Sequence, residues 1–358
     1  MRPSLQQVAC FYESKTQTIL SRYGPGPRIH YHTGIVDERT LGAEAARGAA
    51  TTCNLRATLV AAQERLLTYA AEVWNVRSIP FTDVLDVGCG LGGGAIFWAQ
   101  EFGASVTAVT IVRSHLSWVA KFAAQAGVRS LIRPLLRDAS EIPGENCFDA
   151  AVAIESCSSF PREAWFERIW ALLRVGGRVL IADLFLGKPE YQDPVDCHWL
   201  TQIGTIDEYL TAARRAGFHG GVVHDYSEKA ERFWATTCEL LRVEAQNPGL
   251  TLFERAKLLE SLRIHSMMRQ GVVDGGLRYA LVSIAKKQEE GDLFRRGQPD
   301  LNLRMGEQLR LPTGSEPAVG QSSVQPIRRQ LVISLKGSSY SVFCLKPPSI
   351  CSRNCCCG

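Results

Sequence analysis

The chain has 358 residues, of which 46% are hydrophobic and 21% charged, a composition typical of soluble globular proteins and not of disordered chains. Its net charge of +4 is too small to indicate nucleic-acid binding. No apolar run approaches the roughly 20 residues of a membrane-spanning helix, and the first residues lack the apolar core of a signal peptide. We therefore expect a cytoplasmic protein of enzyme size without a membrane span.

The twelve cysteines are unevenly distributed along the chain. Most are scattered singly through the globular part, as small buried hydrophobic residues are, and the others crowd the last fifteen residues. The paired C-x-x-C motifs of zinc sites do not occur. We expect reduced thiols and no metal site.

Residues 1–75 have helical periodicity, interrupted by a Gly/Pro-rich loop at 24–27, and are predicted to form an N-terminal helical cap. From residue 80 onward, short apolar runs alternate with amphipathic segments. The predicted strands are FTDVLDVG, SVTAVTIV, FDAAVAIES, GGRVLIADLF, GGVVHDY and LRYALVSIAKK. The predicted helices are GGGAIFWAQEFG, RSHLSWVAKFAAQAG, which ends at Gly127, REAWFERIWALLR, and TIDEYLTAARRAGF, which begins at Thr205. This alternation predicts a parallel sheet with helices on both faces.

Residues 76–288 are thus predicted to form one α/β domain with a helical insertion at 227–270. Beyond this domain the periodicity stops. Residues 289–358 are rich in Pro, Gly and Ser and end in CSRNCCCG, so we expect a disordered tail; metal binding by its thiols is the alternative.

The most informative motif is VLDVGCGLGGG, Val84–Gly94, in which a strand runs into a glycine loop and a helix follows. Gly88, Gly90 and Gly93 match G-x-G-x-x-G, which lets the backbone turn tightly and approach a ligand closely. Dinucleotide-binding proteins share this pattern. A nicotinamide site would also place an acidic residue at the end of the second strand, where this chain has Thr110. A nicotinamide oxidoreductase is therefore disfavoured.

VLDVGCGLGGG closely resembles the first motif of class I S-adenosylmethionine-dependent methyltransferases, and the resemblance extends over roughly residues 30–287. VTAVTIVRSHLSWV is similar to the GVTLSPxQ segment of the branch that contains tocopherol, sterol and cyclopropane-type enzymes. LRDASEIP resembles the adenine-contacting loop of the family, and LRVGGRVLIAD its LKPGGRLVIAD segment. The family implies a Rossmann-like, seven-stranded, mostly parallel sheet and S-adenosyl-L-methionine as cofactor.

The resemblance also indicates which residues hold the cofactor. Thr110 replaces the usual acidic residue near the ribose, and His115 stands where those relatives carry glutamine. Asp86 is expected either to orient the loop or the amino-acid end of the cofactor, or only to cap the turn. The full predicted cofactor set is Asp86, Gly88, Cys89, Gly90, Gly93, Thr110, His115, Asp138 and Ala139.

Glu155 lies at the carboxyl end of the predicted strand FDAAVAIES, in VAIESCSSFP, at the edge where open α/β sheets bind their ligands. The stretch resembles AIEATCHAP of sterol C-methyltransferases and the NES segment of prenyl diphosphate C-methyltransferases. In those families methylation of an alkene leaves a carbocation, and an acidic residue stabilises it or accepts a proton. Glu155 is therefore the predicted catalytic residue, and holding a cofactor or loop amide is the alternative.

The segment RIHYHTGIVDE, residues 28–38, is loosely similar to the HHHYG loop of prenyl diphosphate methyltransferases. His30 and His32 alternate with Tyr31, so in an extended segment their imidazoles share a face. Three interpretations stay open: a polar lid that contacts cofactor and substrate, a weak metal pair, or an ordinary loop. Arg28 would suit a diphosphate, although one arginine does not establish such a substrate.

Aromatic residues are predicted to complete the acceptor side. Tyr12 and Tyr23 offer faces that stabilise positive charge, and Tyr23, His30 and His32 join Glu155 in the predicted catalytic set. The predicted apolar lining comprises Trp199, Leu200, Phe233 and Trp234.

Together these features predict methyl transfer from S-adenosylmethionine to a lipophilic small molecule, with a carbon of an isoprenoid or terpenoid natural product as the preferred acceptor. The alternatives are O- or N-methylation of a secondary metabolite, with His30, His32 or Glu155 as base, and a non-catalytic cofactor-binding protein. The NPPY-type motif of nucleic-acid methyltransferases does not occur. Whether the protein forms a homo-oligomer is left open.

Overall fold

The computed structural model describes residues 3–37 and 51–287, and Glu38 and the predicted tail 289–358 lie outside this part of the chain. The first helix, α1 (Leu5–Tyr23), begins at Ser4, whose hydroxyl accepts the Gln7 N–H in a capping box. The second, α2 (Thr52–Val73), begins at the N-cap Thr51. Both lie where the sequence predicts the helical cap.

Seven strands form one sheet in the order β3-β2-β1-β4-β5-β7-β6. Neighbouring strands from β3 to β5 are parallel, and β7 is antiparallel to both β5 and β6. The strands are β1 (Asp83–Val87), β2 (Ser105–Thr110), β3 (Ile132–Leu136), β4 (Phe148–Ile154), β5 (Leu173–Leu186), β6 (His219–Asp225) and β7 (Leu277–Ala285).

Helices connect the strands and cover the sheet, and they are α3 (Gly93–Phe102), α4 (Arg113–Gln125), α5 (Arg162–Leu172), α6 (Gln192–Trp199), α7 (Ile206–Arg215), α8 (Ser227–Ala245) and α9 (Leu252–Val273). One buried cluster contains Trp98 of α3, and a second contains Trp165 of α5. Buried side chains on both faces are expected for a mostly parallel sheet. The predicted Rossmann-like fold class is confirmed.

The structure corrects three local predictions. The sequence pattern does not predict strand β3, which has the sequence IRPLL. Pro134 lies inside the strand and only Ile132 is buried, and both features are tolerated because β3 is at the edge of the sheet. The third predicted helix ends at Leu172, and the chain passes directly into β5. The insertion at 227–270 is two helices, since Asn247-Pro248-Gly249 interrupts it and Thr251 starts α9 with its own capping box.

The cap lies over the carboxyl edge of the parallel strands. Helix α2 packs on α8, which packs on α9, and α1 also contacts α2. Within residues 3–37 and 51–287, no helix has the length and apolar character needed to cross a bilayer.

Candidate active site

A cavity of about 380 Å³ lies at the carboxyl ends of β1, β2 and β4, covered by α1 and segment 29–33. Its two sides differ in character. The glycine-loop wall comprises lining residues at the ends of β1 and β2 and in the segments that follow β1, β2 and β3, namely Asp86, Gly88, Cys89, Gly90, Thr110, His115, Asp138 and Ala139. The aromatic wall comprises Tyr12, Tyr23, Tyr31, Trp199, Phe233 and Trp234.

The glycine loop is held against its neighbouring strands. The N–H groups of Gly88 and Cys89 donate to the Val109 carbonyl at 3.0 and 2.9 Å. Gly88 has φ +80°, and a Cβ there would lie 2.5 Å from that of Ser156. Only glycine permits this turn and this approach. By contrast, a Cβ on Gly90 would meet no atom within 4 Å, because it would point into open space.

Gly93, the third glycine of the motif, contacts the lid. A Cβ on Gly93 would collide with the Ile29 carbonyl and lie 2.7 Å from His30 Nδ1. The segment 29–33 therefore rests on the first turn of α3. The glycine motif therefore lines the cavity and also allows the lid segment to pack closely on α3.

Asp86 presents an unpartnered oxygen within this wall. Its carboxylate accepts the Ala95 N–H, whereas Oδ2 is buried and has no hydrogen-bond partner among the described residues. Burial raises the pKa of Asp86 to about 7. Such an atom needs a ligand group as its partner.

His115 is oriented by the cap. The Thr16 hydroxyl donates to the Tyr12 carbonyl at 3.0 Å, so it accepts from His115 Nε2, also at 3.0 Å. Burial lowers the pKa of His115 to about 4, so the ring is neutral and Nδ1 is an acceptor. Nδ1 is buried, and the described part of the chain provides it with no partner.

Two other predicted cofactor residues, Thr110 and Asp138, accept hydrogen bonds from residues two positions further along the chain. Thr110 Oγ1 accepts the Val112 N–H at 3.1 Å. Asp138 Oδ1 accepts the Ser140 N–H at 2.7 Å and also the Ser140 hydroxyl, which shapes the turn after β3. Ala139, which lies between Asp138 and Ser140 in the chain, is buried and lines the cavity.

Glu155 lies at the end of β4 in a left-handed backbone conformation, φ +44°, which turns the chain at the cavity. One carboxylate oxygen, Oε1, accepts the Thr33 N–H at 2.8 Å and the Thr33 hydroxyl. Burial raises the pKa of Glu155 to about 8, against the lowering effect of the Thr33 hydrogen bonds. Glu155 therefore joins β4 to the lid.

Asp183 of β5 is a second buried carboxylate, and sequence reasoning missed it. It accepts the N–H and the Sγ–H of Cys157, both at 2.9 Å, and burial raises its pKa to about 6. Asp183 also contributes to the raised pKa of Glu155. An acidic residue inside the apolar run VLIADLF was the available signal.

The two lid histidines have different partners. His30 Nε2 bonds Glu64 Oε2 at 2.8 Å, which ties the buried ring to α2. His32 Nδ1 donates to the Thr33 carbonyl at 2.6 Å, and Nε2 has no partner among the residues described. Burial is the main cause that lowers the pKa of His32 to about 3, and the electrostatic effect of the nearby His30 is the second cause. His32 is thus a neutral imidazole with a free acceptor nitrogen.

Arg28 does not line the cavity. Its guanidinium binds Glu64, Gln100 at 2.7 Å and Glu101 at 2.6 Å, and it lies over the Phe97 ring. These partners anchor the lid to α2 and α3. The proposed meeting of Arg28 with a diphosphate is therefore wrong for this structure, because carboxylates already occupy the guanidinium.

The aromatic wall is close to the prediction. The rings of Tyr23 and Tyr31 have centroids 6.2 Å apart, and burial raises the pKa of the Tyr23 phenol. Trp199, Phe233 and Trp234 line the cavity as predicted. Leu200 is not among the described lining residues, because the chain turns at its left-handed conformation, φ +55°.

Sequence reasoning missed Thr33, Thr237 and His265, which also line the cavity. The His265 ring lies 5.3 Å from that of Trp234, and its Nδ1 donates to the Ser261 carbonyl at 2.6 Å. Thr33 lies in the segment 28–38 but was not singled out within it, and Thr237 and His265 belong to no motif, so only the packing of the cap on the sheet brings the three together. No group of three or more His, Cys, Asp or Glu side chains within the described ranges could hold a metal ion.

Comparison with known proteins identifies the class. A family model described as a methyltransferase domain matches residues 84–177. The O-methyltransferase cnsE of Penicillium expansum is 28% identical over 206 residues, 56% of this chain and 70% of that protein. Residues 84–177 thus match a methyltransferase domain, and the protein is an S-adenosylmethionine-dependent methyltransferase.

Two further comparisons describe the range of this methyltransferase's relatives. The sterol 24-C-methyltransferase ERG6B of Gibberella zeae is 26% identical over 199 residues, 51% of this chain but only 52% of that protein. A geranyl diphosphate C-methyltransferase of Streptomyces coelicolor, solved with Mg²⁺, geranyl-S-thiolodiphosphate and S-adenosyl-L-homocysteine, has a TM-score of 0.64 at 18% identity. That alignment covers 79% of this chain and 98% of the other, and it shows a shared fold.

The glycine-loop wall of this methyltransferase fits S-adenosylmethionine, its cofactor. Asp86 Oδ2 and His115 Nδ1 are buried acceptors without partners, and the cofactor carries ammonium and hydroxyl donors. Gly90 leaves open the space that a Cβ would fill. These residues, with Thr110 and Asp138, would hold the cofactor, which supplies an activated methyl group.

Proposed function

We propose that this methyltransferase methylates a carbon of an isoprenoid or terpenoid-type small molecule, and that Glu155 is the catalytic residue. The observation that carries the proposal is a carboxylate with a raised pKa at the end of β4, in a cavity whose opposite wall is aromatic. A sterol C-methyltransferase among the relatives and the fold of a prenyl C-methyltransferase support a carbon acceptor.

The chain's own groups suit the charge changes of such a reaction. When an alkene carbon forms a bond to the methyl group, the adjacent carbon becomes cationic. The Glu155 carboxylate stabilises that charge and then accepts a proton from a neighbouring carbon, which restores a double bond. The faces of Tyr12, Tyr23 and Trp199 stabilise the same charge through cation–π attraction.

Positioning accounts for much of methyl transfer, because the methyl group arrives already activated. The cap supplies that positioning: the Thr33 N–H and hydroxyl fix Oε1 of Glu155, and His30 ties the same segment to Glu64. We propose that His30 orients the lid and Tyr23 contributes to the aromatic wall. Neither then needs to exchange a proton during the reaction.

The second candidate is O- or N-methylation of a secondary metabolite, as in the O-methyltransferase relative. His32 favours it, because this neutral ring lines the cavity and its Nε2 acceptor has no partner among the described residues. In that reaction His32 would remove a proton from a hydroxyl or ammonium group. The position of the transferred label separates the two candidates.

The test is incubation with methyl-labelled S-adenosylmethionine and a panel of prenylated and aromatic metabolites, followed by mass spectrometry with fragmentation. We expect the label on carbon. Glu155→Gln should retain cofactor affinity within about threefold and lose turnover by roughly 100- to 1,000-fold, the range of general-base catalysis.

Glu163→Gln, at an exposed position of α5, is the matched control and should keep full turnover. Label on oxygen or nitrogen, together with loss of turnover in His32→Gln, would favour the second candidate. Unchanged turnover in Glu155→Gln would remove Glu155 from the mechanism.

A further inference from the structure

The acceptor side of the cavity contains the Glu155 carboxyl group and aromatic rings, and the neighbouring Arg22 and Arg28 are already paired with carboxylates. The structure assigns to this side, on the basis of the proposed function, an uncharged acceptor: a neutral isoprenoid alcohol, hydrocarbon or ring, and not its phosphate or diphosphate ester.

The carboxyl group on this side is that of Glu155, at the end of β4, and it supplies no positive charge whether it is protonated or ionised. A diphosphate placed beside it would lose its hydration without gaining an opposite charge. Moving an unpaired anion into such surroundings costs several kcal/mol. A neutral prenyl chain instead gains from burial against the aromatic wall.

Arg28, Arg22 and Arg56 are each paired with carboxylates that are not among the described lining residues. Arg28 binds Glu64 and Glu101, as described above. Arg22, which precedes Tyr23 of the aromatic wall, binds Glu244 at 2.8 Å, and Arg56 binds the same carboxylate at 2.8 Å. If any of these arginines bound a phosphate instead, an ion pair that holds the cap to a neighbouring helix would be lost.

The imidazoles of the acceptor side do not replace the missing cations, and His30 is already paired with the Glu64 carboxylate at 2.8 Å. His32 and His265 each donate Nδ1–H to a backbone carbonyl, and burial lowers both pKa values below the physiological range. Among the described lining residues, Arg137 is the one lysine or arginine. It is exposed, follows β3, and belongs to the turn that contains Asp138 on the glycine-loop wall.

The experiment is isothermal titration of the full chain loaded with S-adenosyl-L-homocysteine. Farnesol and farnesyl diphosphate form a matched pair with the same prenyl chain that differs in the diphosphate group, and each is titrated with and without Mg²⁺. Inorganic diphosphate with Mg²⁺ probes a phosphate subsite directly. We expect farnesol to bind at least 30-fold more tightly than farnesyl diphosphate, Mg²⁺ to leave that ratio unchanged, and inorganic diphosphate not to bind.

Arg137→Ala is the matched control, and the ratio should stay within about twofold of the wild-type ratio. Equal or tighter binding of farnesyl diphosphate, binding of inorganic diphosphate, or a tenfold loss of diphosphate affinity in Arg137→Ala would overturn the inference. If neither farnesol nor either diphosphate binds while the cofactor product does, the exclusion of phosphates stands and the proposed isoprenoid acceptor is refuted.

Discussion

Glu155 and Thr33 form a contact between residues 122 positions apart, and it determines the chemistry available at the end of β4. Two donors from one threonine converge on Oε1, and hydrogen bonds to a carboxylate favour its charged form. Burial opposes them and prevails, because the pKa rises to about 8. The ionised carboxylate is consequently a stronger base than an exposed glutamate.

This balance predicts the pH dependence of the reaction. The pKa of Glu155 is raised, so the carboxylate predominates only above about pH 8. If Glu155 accepts the proton, kcat/KM should rise as the pH increases through 8 and then level off, since this parameter reports the free enzyme. Initial rates from pH 6 to 9.5 measure it. A profile that is flat between pH 7 and 9 would contradict the role of Glu155 as a base.

Thr33 offers a way to move that profile. Thr33→Val removes the hydroxyl donor and keeps the N–H, so the pKa of Glu155 should rise further and the midpoint of the profile should shift to higher pH. Thr33→Ser retains the hydroxyl and should restore the wild-type midpoint. A midpoint that is the same in all three proteins would show that Thr33 does not tune the carboxylate.

For individual residues, the sequence predicted the functional side chains more successfully than it predicted their hydrogen-bond partners. Glu155 follows a recognisable strand and family segment, so its position was predictable. The HYH pattern drew attention to two imidazoles, but Glu64, 34 residues away, binds His30 and leaves only His32 with a free nitrogen. Thr33 itself carried no signal, because its importance arises from a long-range contact.

At the scale of elements, α1 and segment 29–33 form a lid attached at two ends of the cavity. Thr16 of α1 binds His115 on the glycine-loop wall, and Thr33 binds Glu155 at the end of β4. Each attachment joins the lid to a predicted site residue. Cofactor binding and lid closure should therefore be energetically linked.

Thr16→Val tests the first attachment. The variant leaves His115 Nε2 without its acceptor, which costs about 1–3 kcal/mol for a buried donor. We expect cofactor affinity to fall about 5- to 20-fold, with faster proteolysis of α1 in the absence of cofactor. Thr18→Val, on an exposed face of the same helix, should change neither property. Equal cofactor affinities in both variants would show that the lid does not depend on His115.

The elements themselves were largely predictable, because period and turn chemistry are local. Thr205 starts α7 with the predicted N-cap, and Gly127 follows the end of α4 with φ +74°. Strand β3 was not located, because Pro134 and exposed side chains conceal a strand that exists only through pairing with β2. The placement of the lid on Gly93 likewise depends on tertiary packing that no local pattern encodes.

At the scale of the whole molecule, buried acids and buried histidines give opposite pH dependences of stability. Burial lowers the pKa of His32, His115, His198 and His265, so the unfolded chain binds more protons between about pH 4 and 6.5, and stability rises with pH there. Burial raises the pKa of Asp86 and Glu155 to about 7 and 8, so the folded chain binds more protons up to those values, and stability falls as pH increases.

Above about pH 7 the unfolded histidines have lost most of their protons, and the two acids dominate. We expect the free energy of unfolding, measured by urea titration without cofactor, to fall by about 1 kcal/mol between pH 7 and 8, since the folded chain then binds roughly half a proton more than the unfolded chain and one proton is worth about 1.4 kcal/mol per pH unit. Glu155→Gln should remove most of this decrease, because glutamine does not ionise in either state, whereas Glu163→Gln should retain it. A free energy of unfolding that is constant or increasing over this range would mean that both carboxylates are already ionised in the folded protein, and the raised pKa on which the base mechanism depends would be lost with them.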